Sequence, residues 1–170
     1  IYCFFDTKRI FVMEVSMILV TGVNGQLGYD VIRVLNERGI ECTGVGRNDF
    51  DVTDEMAVKN YISRLNPEAV IHCAAYTAVD KAEDEVELCE KVNANGTKFI
   101  AEACRNIEAK MLYISTDYVF PGNGDKPYET DDATGPLGVY GKTKLDGEKA
   151  VINTIDKYFI VRISWVFGKN

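Results

Sequence analysis

Short apolar runs alternate with longer amphipathic stretches from residue 17 to the end of the chain. The apolar runs predict five buried β-strands, at residues 17–21, 41–46, 69–74, 111–115 and 158–166. The amphipathic stretches predict four helices, at residues 26–37, 54–65, 84–106 and 140–152. The segment 121–137 is rich in Gly, Asp and Pro and predicts a loop. This alternation is typical of βαβ units and a parallel sheet.

Capping residues and periodicity define the helices in more detail. Gly39 predicts the end of the first helix. Thr53 or Asp54 predicts the start of the second helix, and Asn66-Pro67 predicts its end. The third helix carries an apolar stripe that we expect to face the core, formed by Val86, Cys89, Val92, Phe99, Ile100 and Ala103.

Connections between parallel strands are right-handed, which leaves few ways to arrange five strands and four helices. The predicted fold class is α/β, a doubly wound parallel sheet in three α/β/α layers. We expect a ligand crevice at the carboxyl ends of strands one and four. The chemically distinctive segments all follow a predicted strand, at residues 22–28, 47, 74–77 and 115–117.

Three glycines, Gly22, Gly25 and Gly28, follow the first strand and open the first helix. In a dinucleotide site of the Rossmann type, the first glycine allows a tight turn, the second lets backbone approach a pyrophosphate, and the third lets helix and strand pack closely. Phosphates also find free N–H groups and a positive dipole end at the start of a helix. Glycine-rich turns also end ordinary strands, and that alternative stays open for the pattern alone.

The composition is that of a globular domain and narrows the function classes. The chain has 170 residues, of which 46% are hydrophobic and 26% charged, enough to build one domain with a core. The net charge of -7 argues against a nucleic-acid partner, which needs clustered Lys and Arg. No apolar run reaches the length of a membrane span, so no membrane association is predicted.

The cysteines favour a reducing compartment. Five are present, at positions 3, 42, 73, 89 and 104, without a C-x-x-C pair, and an odd number cannot pair completely within the chain. We therefore expect free thiols and a cytoplasmic protein. His72 is the one histidine of the sequence, which argues against a structural zinc site.

The first sixteen residues stand apart from the alternating pattern, and Met13 and Met17 both offer potential starts. Their apolar residues look like a signal sequence, but Asp6, Lys8 and Arg9 interrupt the apolar run and no small-residue cleavage site follows. We expect residues 1–16 to be a non-native or disordered extension and residues 17–170 to form an NAD(P)-binding Rossmann domain.

Tyr140 and Lys144 are spaced i, i+4 on the fourth predicted helix and so project from the same face. A phenol has a reference pKa of about 10, and a nearby ammonium lowers that pKa toward useful proton transfer. Thr116, at the end of the fourth strand, can donate a hydrogen bond to a carbonyl oxygen. A surface pair is the alternative for Tyr140 and Lys144 alone. Together with Thr116 and the glycine turn, they make hydride transfer to or from a carbonyl the leading hypothesis.

These motifs resemble the extended short-chain dehydrogenase/reductases, and within them the dTDP-4-dehydrorhamnose reductases, from residue 17 to the last residue. The resemblance rests on the glycine turn and on four segments: HCAAYTAVDKAE at 72–83, STDYVF at 115–120, YGKTKL-x-GE at 140–148 and RISWV at 162–166. The first, second and last of these four segments are much more specific than the glycines.

The resemblance implies reduction of the C4 ketone of a 6-deoxy-4-keto nucleotide sugar to dTDP-L-rhamnose. Tyr140 would donate the proton to the C4 oxygen, and Thr116 would polarise that carbonyl. Lys144 would hold the nicotinamide ribose hydroxyls and lower the pKa of Tyr140, while the reduced nicotinamide supplies the hydride. The sugar pocket would be lined by Thr77, Val79, Ser115, Asp117, Tyr118 and Trp165. For Trp165, core filling at a strand end is an equal alternative.

The same matching implies a set of cofactor contacts: Gly22, Asn24, Gly25, Gln26, Leu27, Gly28, Arg47, Asp51, Val52, Ala74, Ala75, Tyr76, Asn93, Tyr140 and Lys144. Arg47 ends strand two, where a site selective for NAD usually has an acid. Arg47 could hold a 2′-phosphate, so NADPH is the preferred cofactor, and related enzymes also accept NADH. Asp49 lies close by and complicates this choice. A helix-capping loop is the alternative role of Asp51 and Val52.

Single positions separate the related activities. Nucleotide-sugar dehydratases typically have Thr-Asp-Glu after strand four, and Tyr118 in place of that Glu disfavours water loss. Epimerases usually have a Ser-rich end of strand four, which this sequence lacks. The regulatory subunit of methionine adenosyltransferase is similar to these reductases and binds dinucleotide without a known need for turnover. It stays open as a non-catalytic alternative.

The resemblance also bears on size and assembly. The family's chain continues beyond the position of Asn170 into a smaller substrate lobe, so we expect this chain to bind dinucleotide but to turn over poorly or not at all. Some members carry a metal such as Mg²⁺ at a dimer contact, and Asp30 matches one acidic ligand. A surface acid is the favoured role of Asp30, so no metal ligand is predicted. A homodimer of the complete protein is compatible with the resemblance.

Overall fold

The computed structural model describes residues 17–124 and 126–168, and the predicted extension at residues 1–16 lies outside them. The described residues contain a five-stranded sheet in the order β2-β1-β3-β4-β5. The strands are β1 (Ile18–Thr21), β2 (Cys42–Val45), β3 (Ala69–His72), β4 (Lys110–Thr116) and β5 (Tyr158–Ile163). The bounds of β1 to β4 agree with the predicted strands to within two residues.

The helices follow the predicted alternation, with two short additions. They are α1 (Gln26–Glu37), α2 (Glu55–Leu65), α3 (Val79–Ala82), α4 (Val86–Glu90), α5 (Thr97–Asn106) and α6 (Val139–Thr154), with a π-helical segment at Lys91–Gly96 and a 3-10 turn at Asp117–Val119. The periodicity predicts neither α3 nor the 3-10 turn, because both are too short to show a helical period. Within the described residues, no helix is both long and apolar enough to cross a membrane.

The predicted doubly wound α/β fold is confirmed. All strand pairs are parallel, and right-handed crossovers place α1 on one face of the sheet and α2, α5 and α6 on the other. The crevice lies at the carboxyl ends of β1 and β4, as predicted, and β3 lies between these two strands because it pairs with both. The strand order reverses between β1 and β3, and the crevice extends across the ends of several strands.

The hydrophobic core lies between the sheet and the helices α2, α5 and α6. Leu19, Val70 and Met111 form one row across three strands and are fully buried. The predicted stripe contributes Cys89, Ile100 and Ala103, which are also fully buried, and Val92 and Phe99, which are half-buried. Val86 departs from the prediction, because it is the first residue of α4 and is 43% exposed.

The predicted helix ends at Gly39 and Asp54 are confirmed. Gly39 has a φ of 66°, a left-handed conformation that glycine adopts without strain. The Asp54 side chain accepts a hydrogen bond from the N–H of Ala57 and caps α2. Asn66 ends α2 in a left-handed conformation, before Pro67.

The long helix predicted at residues 84–106 is continuous from Val86 to Asn106, but its middle part is π-helical. It consists of α4, the π-helical segment and α5, and its conformation stays helical at both junctions. A π-helical turn inserts an extra residue, which lets Asn93 face the end of β3. Gly96, in the same segment, leaves room for Val52, whose carbonyl oxygen would lie 2.9 Å from an added Cβ.

Strand β5 ends at Ile163, three residues before its predicted end. Trp165 has a φ of 51°, which a β-strand residue does not adopt, so the chain leaves the sheet before this position. The Gln26 side chain donates a hydrogen bond to the carbonyl of Val166 at 3.4 Å, which joins this segment to the start of α1.

Candidate active site

A cavity of about 670 Å³ lies along the carboxyl ends of the strands. Its volume is in the usual range for a small-molecule or cofactor site. Every predicted cofactor, substrate and catalytic residue lines it except Asn93. The structure therefore brings together six separate parts of the sequence, at residues 22–28, 47–52, 74–79, 115–118, 140–144 and 165.

The glycine turn between β1 and α1 is crowded by backbone. Gly22 has a φ of 73°, and a Cβ added to it would lie 2.6 Å from the nitrogen of Ala74. A Cβ on Gly28 would collide with the carbonyl of Gly22. Both positions therefore require glycine, for the turn and for the close approach of α1 to β1.

The start of α1 is suited to an anion. Its N-cap is Gly25, no side chain caps the first turn, and that turn contains no acidic residue. Helices begin with N–H groups that lack an intrahelical partner, and here Gln26, Leu27 and Gly28 also line the cavity. The residues present therefore fit a dinucleotide pyrophosphate, which the N–H groups and the helix dipole would stabilise.

Arg47 and Asp51 lie at the end of the cavity near β2. The Arg47 guanidinium is 82% exposed and lies 4.0 Å from the Asp51 carboxylate. Asp51 accepts hydrogen bonds from the N–H and the hydroxyl of Thr53, and the N–H bond is the main cause that lowers the pKa of Asp51. These bonds support the loop-capping role, although Asp51 also lines the cavity. The Asp49 carboxylate accepts a hydrogen bond from the N–H of Gly46 at 2.7 Å, so this side chain already has a partner within the turn.

Asn93 lies behind the wall of the cavity rather than in it. It is 1% exposed, its Oδ1 accepts the N–H of Tyr76 at 2.8 Å, and its Nδ2 donates to the Tyr76 carbonyl at 3.1 Å. Nδ2 also lies 3.2 Å from Thr143 Oγ1, and that hydroxyl donates to the Tyr140 carbonyl. Asn93 thus fixes the backbone of two residues that line the cavity.

His72 connects β1 to the π-helical segment in one neutral tautomer. The Thr97 hydroxyl donates its proton to the Asn93 carbonyl, so it must accept from Nε2–H of His72. Nδ1 then accepts from the Thr21 hydroxyl, which in turn accepts from the N–H of Ala74. Burial lowers the pKa of His72 to about 3, in agreement with a neutral ring.

Tyr140 and Lys144 both face the cavity from α6, as their spacing predicts. Two glycines allow α6 to approach β4 this closely. A Cβ on Gly141 would collide with the Tyr118 carbonyl, and one on Gly147 would collide with the Tyr113 hydroxyl. Neither glycine is among the predicted site residues, although both belong to the segment YGKTKL-x-GE at 140–148.

Lys144 is buried at the base of the cavity, with 3% exposure. Its Nζ donates to the Ile114 carbonyl at 2.6 Å and lies 4.2 Å from the centre of the Tyr113 ring. Burial lowers the pKa of Lys144 to about 7, because the charged form loses its hydration, while Glu148 acts in the opposite direction.

The pKa of Tyr140 does not shift in the predicted direction, and Lys144 is not among the causes of its shift. The pKa of Tyr140 is raised from its ordinary value, mainly because the phenol is buried, and a hydrogen bond with Thr116 only partly offsets this. Burial also lowers the pKa of Lys144, which disfavours its charged form. A protonated phenol is nevertheless the state that a proton donor requires. The Tyr118 ring packs edge-on against Tyr140, with ring centres 5.6 Å apart.

Thr116 and Ser115 end β4 in different environments. The Thr116 hydroxyl donates to Asp117 at 3.1 Å and accepts the N–H of Tyr118, so it must change partner to polarise a substrate carbonyl. Ser115 is 2% exposed and donates to Glu148 Oε1 at 2.5 Å, although it also borders the cavity.

Glu148 and Arg162 form a support that sequence reasoning missed. Arg162 Nε and Nη2 donate to the two oxygens of Glu148, at 2.9 and 2.8 Å, and Nη1 donates to the Thr130 carbonyl. The pair joins α6, β5 and the loop before α6. An acid and a base at inward positions of two quoted motifs, YGKTKL-x-GE and RISWV, are the signal that could have identified it.

The three other predicted sugar contacts lie on the open side of the cavity. Thr77 is exposed and Val79 is half-buried, in the segment that follows β3. Trp165 is 85% exposed, which rules out the core-filling alternative for its side chain.

No group of three His, Cys, Asp or Glu side chains among residues 17–124 and 126–168 is arranged to hold a metal ion. Asp30, which matched a metal ligand by resemblance, forms an ion pair with Arg33 at 3.0 Å on the surface of α1. The Asp30 side chain is 17% exposed and so is half-buried.

Comparisons with known proteins agree on one family. The model of the RmlD substrate binding domain matches residues 16–170. A dTDP-4-dehydrorhamnose reductase from Streptomyces griseus is 46% identical over 88% of this chain and 50% of its own length. The crystal structure of a dTDP-4-dehydrorhamnose reductase from Clostridium acetobutylicum superposes with a TM-score of 0.88 at 42% identity, over 91% of this chain and 55% of that one. A Bacillus anthracis dTDP-4-dehydrorhamnose reductase in complex with NADP has a TM-score of 0.88 at 39% identity, with 91% and 55% covered. The chain spans about half the length of the curated relatives it matches.

Proposed function

Since this chain belongs to the RmlD substrate binding domain family, we propose that the protein reduces the C4 ketone of dTDP-4-dehydro-L-rhamnose to dTDP-L-rhamnose. The observation that carries the proposal is the composition of one cavity. It joins an uncapped helix start behind a glycine turn to a half-buried tyrosine and a buried lysine on α6. A dinucleotide and a ketone held in this cavity would meet beside a proton donor.

Tyr140 is the proton donor of the proposed reaction. Its raised pKa keeps the phenol protonated at neutral pH, so that it can give a proton to the C4 oxygen. The hydroxyl of Thr116 hydrogen bonds the same oxygen and stabilises its developing negative charge. Tyr118, packed on the Tyr140 ring, restricts the orientation of the phenol.

The dinucleotide is held at both ends of the cavity. The N–H groups at the start of α1 bind the pyrophosphate, and Lys144 donates hydrogen bonds to the nicotinamide ribose. Reduced nicotinamide, when bound, supplies the hydride. NADPH is the preferred reductant because the exposed Arg47 is placed to pair with a 2′-phosphate, and NADH is a second reductant. A relative in complex with NADP supports this assignment.

The sugar nucleotide binds on the open side of the cavity. Thr77, Val79, Asp117 and Trp165 border that side and contact the sugar. Ser115 also borders the cavity, and its hydrogen bond to Glu148 fixes the orientation of its side chain. We place the protein in the cytoplasm, since Cys42, Cys73, Cys89 and Cys104 are free thiols, and a homodimer stays a prediction.

A coupled assay tests the proposal. A full-length version of the protein, matching the length of its relatives, is mixed with dTDP-4-dehydro-L-rhamnose and either NADPH or NADH, and the loss of absorbance at the nicotinamide band is followed. Stoichiometric formation of dTDP-L-rhamnose with NADPH supports the reductase. Tight NADPH binding without turnover would instead favour the non-catalytic, regulatory alternative.

A further inference from the structure

The first turn of α6 is held by a residue from a distant segment. Glu83 Oε1 accepts a hydrogen bond from the N–H of Val139, the first residue of α6, at 2.8 Å. The N-cap of α6 is Gly138, which offers no side-chain cap. Because the first N–H groups of a helix lack intrahelical partners, Glu83 takes the role that an N-cap side chain usually has.

Gly138 and the helix dipole both favour this contact. A Cβ added at position 138 would lie 2.8 Å from Glu83 Oε1, so glycine leaves the space that the carboxylate needs. The first turn of α6 contains no acid of its own. The carboxylate of Glu83 therefore supplies the negative charge that stabilises the positive end of the helix.

The contact joins two walls of the cavity. Glu83 ends the segment that contains Thr77, Val79 and α3, and Thr77 and Val79 line the cavity. Val139 immediately precedes Tyr140, and both lie in the first turn of α6. The position of this turn decides where the phenol lies relative to Thr116 at the end of β4.

We propose that Glu83 is a positioning residue for proton transfer by Tyr140. By fixing the first turn of α6 from outside the helix, it holds the phenol beside Thr116 and ties it to the segment that borders the sugar. The inference rests on the proposed function, because it assigns Glu83 to the same site. Small displacements of a reacting group cost large factors in rate, so an exposed carboxylate can matter through geometry alone.

Kinetics of the full-length version provide the first test. Glu83→Ala is expected to lower kcat about 10-fold, while KM for NADPH stays within about 2-fold, because the glycine turn is untouched. Glu83→Gln keeps an oxygen that can accept the Val139 N–H and is expected to lose only about 3-fold. Glu87→Ala removes another exposed carboxylate, on α4, and is expected to retain the original kcat.

The ¹³Cζ resonance of Tyr140 provides a second readout that does not depend on turnover. The resonance is assigned by its loss in Tyr140→Phe. It is expected to shift in Glu83→Ala, to shift less in Glu83→Gln and to stay in place in Glu87→Ala. Three results would overturn the proposal. They are an unchanged Tyr140 resonance in Glu83→Ala, an equal shift of that resonance in Glu87→Ala, and an unchanged kcat of Glu83→Ala when the rate is divided by the concentration of sites that bind dinucleotide.

The two readouts separate this inference from the function on which it rests. If the unsubstituted protein does not oxidise NADPH with the keto sugar, the proposed function fails, and the Tyr140 resonance still decides whether Glu83 positions the phenol. If Glu83→Ala does not fold, Glu83→Gln decides the proposal by the same two measurements.

Discussion

The two halves of the cavity are built by different means. At β1 and α1, backbone forms the surface: Gly22 and Gly28 have no room for a side chain, and the helix start carries no cap. At β4 and α6, side chains form it, and burial sets their protonation. Lys144 is 3% exposed with a pKa of about 7, and the pKa of Tyr140 is raised.

The difference separates binding from chemistry. Backbone N–H groups keep their donor character at any pH, so in the proposed function the glycine half would recognise a phosphate by shape and dipole. The α6 half depends on groups whose charge changes with pH and with desolvation. Substitutions in the first half are therefore expected to change affinity for the dinucleotide, and those in the second to change rate and pH dependence.

Tyr140→Phe is expected to cause the largest effect, a loss of about 10³-fold in kcat, because it removes the proposed proton donor and leaves the ring in place. The Kd for NADPH is expected to stay within about 3-fold. Stopped-flow absorbance measures the rate, and nicotinamide fluorescence measures the affinity. An equal loss in both quantities would show that the two halves are not separable.

Lys144→Met is expected to lower kcat about 100-fold and yet to stabilise the fold. Burial lowers the pKa of Lys144 from 10.5 to about 7, so between these values the unfolded chain binds more protons than the native protein. The destabilisation is therefore complete below pH 7 and fades as the pH rises toward 10.5. Methionine fills a similar volume without a charge.

Urea unfolding of both proteins at several pH values measures this effect. The gain in unfolding free energy of Lys144→Met over the original protein is expected to be roughly 4 kcal/mol larger at pH 6 than at pH 10. Lys142→Met, at an exposed position on the same helix, serves as the control and is expected to give a difference that does not vary with pH. A pH-independent gain in Lys144→Met would contradict a buried, neutralised lysine.

The sequence predicts the two halves unequally well. Gly22 and Gly28 are predictable from residue type alone. Few residues other than glycine adopt the positive φ of Gly22, and a side chain at position 28 would collide with the backbone of Gly22. The placement of Arg47, Thr116 and Tyr140 along one edge of the sheet also follows from periodicity and crossover handedness. These parts of the prediction need no information on side-chain packing.

The environment of α6 is not accessible in the same way. The spacing of Tyr140 and Lys144 predicts that they share a face, but the direction of the Tyr140 pKa depends on how deeply both are buried. The π-helical turn that directs Asn93 to Tyr76 depends on contacts of Gly96 with Val52, more than forty residues away in sequence. Both features depend on contacts between residues that are far apart in sequence, and the local sequence pattern does not show these contacts.

Gly22→Ala sharpens the comparison from the glycine half. We expect the Kd for NADPH to rise about 10-fold or more, because the methyl group meets the Ala74 backbone and displaces the turn. The fold is expected to lose about 3 kcal/mol, from this collision and from the positive φ. Isothermal titration and urea unfolding measure the two quantities.

Gly39→Ala is the matched control for Gly22→Ala. Gly39 has a similar φ of 66°, but an added Cβ meets no atom within 4 Å. It is expected to cost about 1 kcal/mol of stability from the backbone conformation alone and to leave the Kd for NADPH unchanged. If the two substitutions behaved alike, the crowding at Gly22 would have no role in binding.

Arg47→Ser is expected to give the smallest effect, a rise of about 10-fold in the Kd for NADPH with the Kd for NADH within about 2-fold. The guanidinium is 82% exposed, so its hydrogen bonds to a 2′-phosphate compete with water and contribute near the low end for charged groups. Arg38→Ser removes an exposed arginine beyond the end of α1 and is expected to change neither Kd. Equal weakening of NADPH and NADH by Arg47→Ser would mean that Arg47 acts through its ion pair with Asp51 on the shape of the adenine end. The choice between NADPH and NADH would then depend on side-chain packing at the adenine end as well. In the glycine half, only the pyrophosphate would be bound by backbone alone.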